Sequence, residues 1–318
     1  MTRVPAHAGR LRPAERFVFA LLFALMAGFV VAVTAQAAGL TVRSQLPGLT
    51  TAAGSPTVPA GETGSAPSRS ARSASARLDG LLAVALRTVL STHHGDVAVG
   101  VIDLTTGQQA LYHASTHFRS AGIMTADILA ALLIRHHQAG TPVTSNQAVL
   151  ATAMMDNGSE TAADGLWRTI GGGNGVASVN QLLGLTHTIP GRGDRWDLAA
   201  TTVADQLALL SDLTSAHSPL PSAARDYVLG LMARAATGKR WGVAAAAAGA
   251  TSYAVGDGWL PDGHLWDVNS IGVVTHAGQV LLIAVLSSRS RTEAAGVSLA
   301  SAAALAAADI VTRTGSGA

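Results

Sequence analysis

Residues 77–318 are predicted to form an α+β domain, a five-stranded antiparallel sheet flanked by helices and interrupted by an all-helical insertion. Three observations predict this class. An amphipathic helix and two short apolar strands come first, a long middle segment (about 119–218) shows only helical spacing, and three β-rich runs and an alanine-rich helix come last. Helices inserted between groups of antiparallel strands are typical of a layered α+β domain.

The elements follow from local patterns. Leu78, Leu82 and Leu86 recur every four residues and predict a helix over 77–92. Two strands are predicted at residues 96–104 and 108–114, joined by a turn. Helical spacing then predicts helices over residues 121–138, 145–155, 159–170, 176–184, 201–214 and 222–236. The remaining predicted elements are strands 251–260, 267–276 and 279–288 and a helix over 292–313. We expect the first and last helices to pack together on one face of the sheet.

Residues 1–38 are predicted to be a signal peptide or a membrane anchor. Four arginines precede an uncharged apolar run at 17–35, and small residues suited to cleavage follow it. The run is also long enough to span a bilayer uncleaved. Both alternatives place the rest of the chain outside the cytoplasm, either secreted or anchored through residues 17–35.

Residues 39–76 are predicted to be a disordered linker. Gly, Ser, Pro, Thr and Ala dominate this segment and no apolar periodicity appears in it. Such a segment cannot bury enough apolar surface to offset its ordering entropy. An exported domain on a flexible tether suits a cell envelope.

Composition excludes several classes of function. The chain has no cysteine, which excludes disulfides, thiolate metal sites and a cysteine nucleophile. Residues 78–318 hold 17 acidic against 13 basic groups, so we expect no nucleic-acid partner. The histidine pairs at 93–94 and 136–137 lack the spacing of a zinc site and suit helix C-termini. We expect no metal, no cofactor and a monomer.

Several sequence segments occur in the order and at about the spacing found in one family of hydrolases. The segments are FRSAGIMTADILAALL (118–133), MMDNGSETAADGLW (154–167), LGLTHTIPG (183–191), TTVADQLALL (201–210), RWGV (240–243) and DGWLPDGHLWDVNSIGVV (257–274). On these segments residues 77–313 resemble class A β-lactamases and the related penicillin-binding serine hydrolases. The resemblance implies a β-lactamase-like fold for the whole exported domain.

The family's chemistry needs three motifs, and the resemblance places each on residues that cannot perform it. Ser-x-x-Lys falls on residues 122–125, where Gly122 has no nucleophile and Thr125 has no amine. Ser-Asp-Asn falls on Gly158, Ser159 and Glu160, and Lys-Thr-Gly falls on Gly256, Asp257 and Gly258. The two acids stand where the family has an amide and a cation.

The chain has a single lysine, Lys239, and neither lysine-containing motif can be placed on it. The absence of both motifs therefore does not depend on how the sequences are aligned. A Ser-x-x-Lys ending there would need a serine where the chain has Ala236, and a Lys-Thr-Gly would need Thr-Gly where it has Arg240-Trp241. The loop expected to carry the deacylating glutamate, near 187–200, holds Asp194 and Asp197 but no glutamate.

The sequence therefore predicts a catalytically inactive pseudoenzyme whose cleft serves as an envelope binding module. Candidate ligand-binding residues are Ser159, Glu160, Asp257 and Trp259, and candidate partners are peptidoglycan fragments or an envelope protein. The alternative is a serine hydrolase that uses unorthodox residues around Ser159, Glu160 and Asp257. Ser120 is interpreted as the N-cap of the helix at 121.

Overall fold

The computed structural model describes residues 69–193, 195–234, 241–247 and 253–315. The chain divides into two compact units, Met1–Thr63 and Gly64–Ala318, and every described residue belongs to the second. The predicted leader, linker residues 39–68, Asp194 and Lys239 lie outside the described residues.

The described helices and strands follow the predicted order. The helices are α1 (Arg69–Leu90), α2 (Met124–Ala139), α3 (Ser145–Asn157), α4 (Glu160–Thr169), α5 (Gly172–Leu182), α6 (Val203–Thr214), α7 (Ser222–Ala233) and α8 (Glu293–Gly315). The strands are β1 (Asp96–Asp103), β2 (Gln109–Tyr112), β3 (Phe118–Arg119), β4 (Ala200–Thr201), β5 (Tyr253–Asp262), β6 (Leu265–His276) and β7 (Gln279–Ser288). Short 3-10 helices lie at Ala121–Ile123, Trp196–Leu198 and Gly242–Ala246.

One antiparallel five-stranded sheet organises the domain, in the order β2-β1-β7-β6-β5. Strand β1 pairs with β7 from Asp96 opposite Ser288 to Asp103 opposite Leu281, which confirms that the first and last predicted strands share a sheet. The β6–β7 hairpin turns at Ala277 and Gly278, with φ of 47° and 82°. Positive φ at both turn residues matches the twist of a two-residue hairpin. Strands β3 and β4 form a separate short pair that the sequence did not predict.

The central strand β7 contributes to two cores, one on each face of the sheet. Leu281, Ile283 and Val285 join a core with α1 and α8. The alternate residues, including Leu282 and Leu286, join a core with the helical middle. Because both faces are covered, β7 is a near-continuous apolar run rather than an alternating one. The first and last helices pack on one face, as expected.

Among the described helices, only α8 is long and apolar enough to cross a membrane, judged by length and composition alone. Leu299, Ala303 and Ala307 on this helix are fully buried in the core that it shares with α1.

Two helices begin four or more residues earlier than the sequence predicts. Helix α1 begins at Arg69, so residues 69–76 are helical where a disordered linker was expected. These residues contain no Gly or Pro, and those with described side chains are mostly exposed, so no apolar pattern marks the helix there. Helix α5 begins at Gly172 rather than at 176, after Gly171 in the left-handed conformation.

Candidate functional site

A cleft of about 700 Å³ opens between strand β5 and helices α3 and α4. It brings together the residues on which the resemblance places the three family motifs, although they are far apart in sequence. The motif residues that line it are Gly122, Thr125, Gly158, Ser159, Glu160, Gly256, Asp257 and Gly258, and Trp259 lies beside them.

Where the resemblance places the family's nucleophile, two glycine backbones lie against each other. A Cβ atom on Gly122 would lie 2.8 Å from the Cα of Gly258 and 2.9 Å from the carbonyl oxygen of Asp257. A Cβ atom on Gly258 would lie only 2.1 Å from the backbone nitrogen of Gly122. Neither position accepts a side chain unless the backbone moves. The approach of β5 to the turn therefore fills the space that a nucleophile's side chain would need.

Polar contacts attach this turn to the sheet. Arg119 Nε donates to Asp267 Oδ2 at 2.6 Å, and its Nη2 lies 2.8 Å from Asp262 Oδ2. Asn269 Nδ2 donates to the carbonyl oxygens of Arg119 and Ser120, at 2.7 and 2.9 Å. Burial raises the pKa of the Asp267 carboxyl, and the neighbouring Arg119 guanidinium opposes that rise. The ion pairs and the asparagine fix the turn in the position where Gly122 meets Gly258.

Ser120 is not the N-cap that the sequence indicated. Its φ and ψ of −68° and −32° are already helical, and its side chain makes no capping bond. The Oγ atom is buried and has no hydrogen-bond partner among the described residues. An N-cap needs an extended conformation, but here Ser120 precedes Ala121, whose φ is 50°, and a 3-10 turn. Helix α2 therefore begins three residues after the turn starts, at Met124.

Where the resemblance places the family's lysine, the chain has Thr125, whose hydroxyl bonds to the backbone of the preceding turn. Thr125 Oγ1 donates to the carbonyl oxygen of Gly122 at 2.8 Å. Because a threonine hydroxyl is neutral at physiological pH, it cannot act as the general base that an amine supplies.

Asp127 lies two residues after Thr125 on helix α2, and it is buried in the core and does not line the cleft. Its burial raises the carboxyl pKa from 3.8 to about 7. The Gln206 side chain opposes the rise, and the charge of Asp205 adds to it. We assign this residue to the packing between α2 and α6.

Ser159, the hydroxyl that the alternative hydrolase would use, caps helix α4. Gly158 ends α3 in the left-handed conformation with φ of 63°. The chain then extends at Ser159, whose Oγ accepts a hydrogen bond from the backbone N–H of Ala162 at 3.3 Å. Among the described residues, no side chain makes a hydrogen bond to this hydroxyl. Glu160 follows as an exposed first-turn residue of α4, which suits the positive end of the helix.

Asp257 is held by a serine on the neighbouring strand. Ser270, opposite it on β6, donates from Oγ to Asp257 Oδ1 at 2.6 Å. The Ser270 Oγ in turn accepts from the backbone N–H of Val243 at 2.8 Å. Since each hydroxyl has one proton, the Val243 bond leaves that proton directed at the carboxylate. These two hydrogen bonds together orient the Asp257 carboxylate.

Trp259 stands two residues beyond Asp257, on the same face of β5. Its side chain is 38% exposed, and its ring centroid lies 6.0 Å from that of Trp241 with an interplanar angle of 49°. Trp241 immediately precedes the 3-10 helix Gly242–Ala246. The two indoles form a tilted pair at this end of the cleft.

The opposite wall carries three charged residues that the sequence analysis did not predict, namely Asp164, Arg168 and Arg195. Glu160, Asp164 and Arg168 recur every four residues along α4 and share one face, which was the available signal. Arg168 lies 3.7 Å from Asp164. Arg195 forms two bonds to Asp197, at 2.8 and 2.6 Å. This contact raises the pKa of the Arg195 guanidinium.

Trp196 also lines the cleft and was not predicted. It is almost fully buried, and its Nε1 donates to Asp164 Oδ1 at 2.8 Å. It comes from the loop near 187–200, for which only the two aspartates had been considered. Taken together, the described lining has four carboxylates and two guanidiniums.

Within the described ranges, no group of three His, Cys, Asp or Glu side chains is placed to hold a metal ion. The polar and aromatic groups among the described residues that line the cleft are hydroxyls, carboxylates, guanidiniums and indoles.

Comparisons with known proteins identify the fold. No family model matches the chain, and neither does any curated protein. A β-lactamase from Xanthomonas campestris superposes with a TM-score of 0.63 at 20% identity, over 74% of this chain and 98% of that one. A class A β-lactamase from Bacteroides cellulosilyticus gives 0.64 at 16% identity, over 74% of this chain and 99% of that one.

A third solved structure is equally similar. The structure described as PBP-A superposes with a TM-score of 0.64 at 16% identity, over 74% of this chain and 96% of that one. These similarities confirm the predicted class, an α+β domain with the β-lactamase fold. At such identities they concern the fold, and the activity has to be argued from the cleft.

Proposed function

We propose that this β-lactamase-like domain is a catalytically inactive binding module, exported to the cell envelope, whose cleft holds a ligand without forming an acyl bond to it. The observation that carries the proposal is the backbone contact between Gly122 and Gly258. Acyl transfer needs a nucleophile with a base within hydrogen-bond reach. Here the nucleophile position has no side chain and no space for one.

The remaining parts of the acylation machinery support the same conclusion. Thr125 replaces the amine, and Ser159 uses its hydroxyl as a helix cap. Groups that act as one catalytic unit lose nearly all of their effect when one of them is removed. The alternative hydrolase would need Ser159 to exchange its capping bond for a bond to a base.

The charges of the cleft indicate which ligands it favours. Glu160 and Asp257 stand at the motif positions, and Arg168 and Arg195 are each close to a carboxylate. A substrate carboxylate, which the family's cation would attract, is repelled by the two acids. We therefore propose neutral or cationic ligands, with peptidoglycan fragments or an envelope protein as the sources.

The test is acylation of the full-length chain purified in detergent. We expect no labelling by a fluorescent penicillin and no turnover of a chromogenic cephalosporin, under conditions in which a class A β-lactamase shows both. The matched variant is Ser159→Ala. Labelling of the unmodified protein that disappears in this variant would establish the hydrolase alternative and refute the proposal.

Export is tested separately. The four arginines before the uncharged run at 17–35 support it. We expect a reporter enzyme that is active only outside the cytoplasm to be active when fused after residue 318. Activity that persists after deletion of residues 1–38 would contradict the assignment of the leader.

A further inference from the structure

Asp257 and Trp259 line the cleft, and Trp241 packs against Trp259; we call these three residues the indole–carboxylate corner. Asp257 and Trp259 are two residues apart on β5, so their side chains lie on one face of the strand. Trp241 packs against Trp259 with centroids 6.0 Å apart. The next residue, Gly242, is close to the carboxylate, because a Cβ atom there would lie 3.6 Å from Asp257 Oδ1.

The corner is accessible to a ligand. Asp257 and Trp259 both line the 700 Å³ cleft. Trp259 is more than one-third exposed and Asp257 is half-buried, with its Oδ2 atom shielded from solvent, so a ligand reaches the corner over the exposed indole. The two indoles are tilted by 49° and are not stacked in parallel, and the Trp259 side chain is 38% exposed.

The carboxylate is fixed before any ligand arrives. Ser270 donates to it at 2.6 Å, and the fully buried Val243 provides the N–H that orients Ser270. A fixed acceptor costs little further ordering when a ligand binds. The first residue of the 3-10 helix is also held, since its N–H (Gly242) donates to Ser301 Oγ at 2.9 Å.

The chemistry of the corner favours one class of ligand. Indole faces carry negative electrostatic potential and attract organic cations, Trp more strongly than Tyr or Phe. A carboxylate beside the ring supplies hydrogen-bond acceptors for the N–H groups of the same cation. The two cleft arginines lie on other elements, α4 and the loop at 195, each near its own carboxylate.

We propose that the indole–carboxylate corner binds an organic cation, the guanidinium or ammonium group of a larger ligand. The proposal rests on the proposed function, because it takes the cleft to be a binding site rather than a site of acyl transfer. It adds the place where the ligand's positive group docks and the residues that select it.

The experiment uses the full-length chain in detergent and three probes of matched shape. N-benzylguanidinium is the cation, N-benzylurea is its neutral analogue, and 3-phenylpropionate is the anion. Affinities are measured by NMR titration of the five tryptophan indole N–H signals, assigned with single Trp→Phe variants. We expect the guanidinium to bind about fivefold or more tightly than the urea and to shift the signals of Trp241 and Trp259. We expect 3-phenylpropionate to bind more weakly than both.

Single-residue variants test whether the preference for guanidinium over urea arises at the indole–carboxylate corner. Asp257→Asn keeps an acceptor for Ser270 and removes the charge, and Trp259→Leu removes the aromatic face. Each should reduce the ratio of guanidinium to urea affinity towards one. Trp266→Phe, which changes an indole that does not line the cleft, should leave the ratio unchanged.

Equal affinity for guanidinium and urea, or a preference that survives in both corner variants, would overturn this proposal. Acylation by penicillin would overturn the proposed function instead, and it would leave the measured cation preference standing. The two failures are therefore distinguishable.

Discussion

The contact between β5 and the turn at Gly122 makes a sharp prediction about stability. In Gly258→Ala, the new methyl group would lie 2.1 Å from the nitrogen and 2.4 Å from the Cα of Gly122, and 2.7 Å from the nitrogen of Ile123. All three are backbone atoms in a turn that Asn269 fixes to the sheet. Overpacking of this kind typically costs about 1–3 kcal/mol, and we expect the upper part of that range.

The same strand provides the control. In Gly256→Ala, two residues earlier, the nearest atom to the new methyl group is a side-chain carbon of Ile271 at 3.5 Å, which is ordinary contact. Replacing a glycine where alanine fits changes stability by at most about 1 kcal/mol, generally in the favourable direction. The two variants should therefore differ by roughly 2–4 kcal/mol in the free energy of unfolding.

Urea unfolding followed by circular dichroism measures this difference. We expect a large fall in the midpoint for Gly258→Ala and almost none for Gly256→Ala. If the two midpoints agreed within error, the close approach of the glycine backbones would not exist in solution. The argument that the nucleophile's space is filled would then lose its structural basis.

Three further predictions concern single side chains. Burial raises the pKa of Asp127 to about 7 in the folded state. The free energy of unfolding should therefore fall as the pH rises from about 4 to about 7, by roughly 4 kcal/mol in all. Asp127→Asn should flatten this pH dependence in urea unfolding, whereas the exposed Asp226→Asn should retain it. Arg119→Gln leaves the buried carboxylate of Asp267 without its cation and should cost about 3 kcal/mol in thermal or urea unfolding; a neutral result would remove this ion pair from the account. Ser159→Ala removes a helix cap and should cost about 1 kcal/mol, and an unchanged midpoint would show that the cap is not formed.

The fold could be predicted from the sequence because its core pattern is strong. Leu82 and Leu86 mark the buried face of α1, and the apolar run of β7 marks a strand covered on both faces. The exposed first turns of α1 gave no such signal, so its start was placed too late. The short pair of β3 and β4 is only two residues long in each strand, which is too short for a period to appear.

The cleft was predicted in part. The motif positions came from ordered segments and do line one cavity, but its charged wall depends on the fold of a loop. Arg195 and Trp196 belong to an irregular segment, where no periodicity indicates which side chains face the cleft. Ser120 was misassigned because the positive φ of Ala121 is rare outside glycine and the sequence does not reveal it.

Glycine itself was the least informative signal. Gly122 was interpreted from the sequence as the loss of a nucleophile, which any small residue could represent. The structure adds that the backbone of Gly258 lies against it, and this contact depends on two residues that are 136 positions apart. Only the packing of the turn on β5 distinguishes an open site from a filled one.

The central claim is that the cleft cannot form an acyl bond. Intact-protein mass spectrometry after prolonged incubation with benzylpenicillin tests it most directly. We predict a single species with the mass of the unmodified chain at every time point. A species heavier by one penicillin, with the added mass located on a serine of the cleft, would contradict the account.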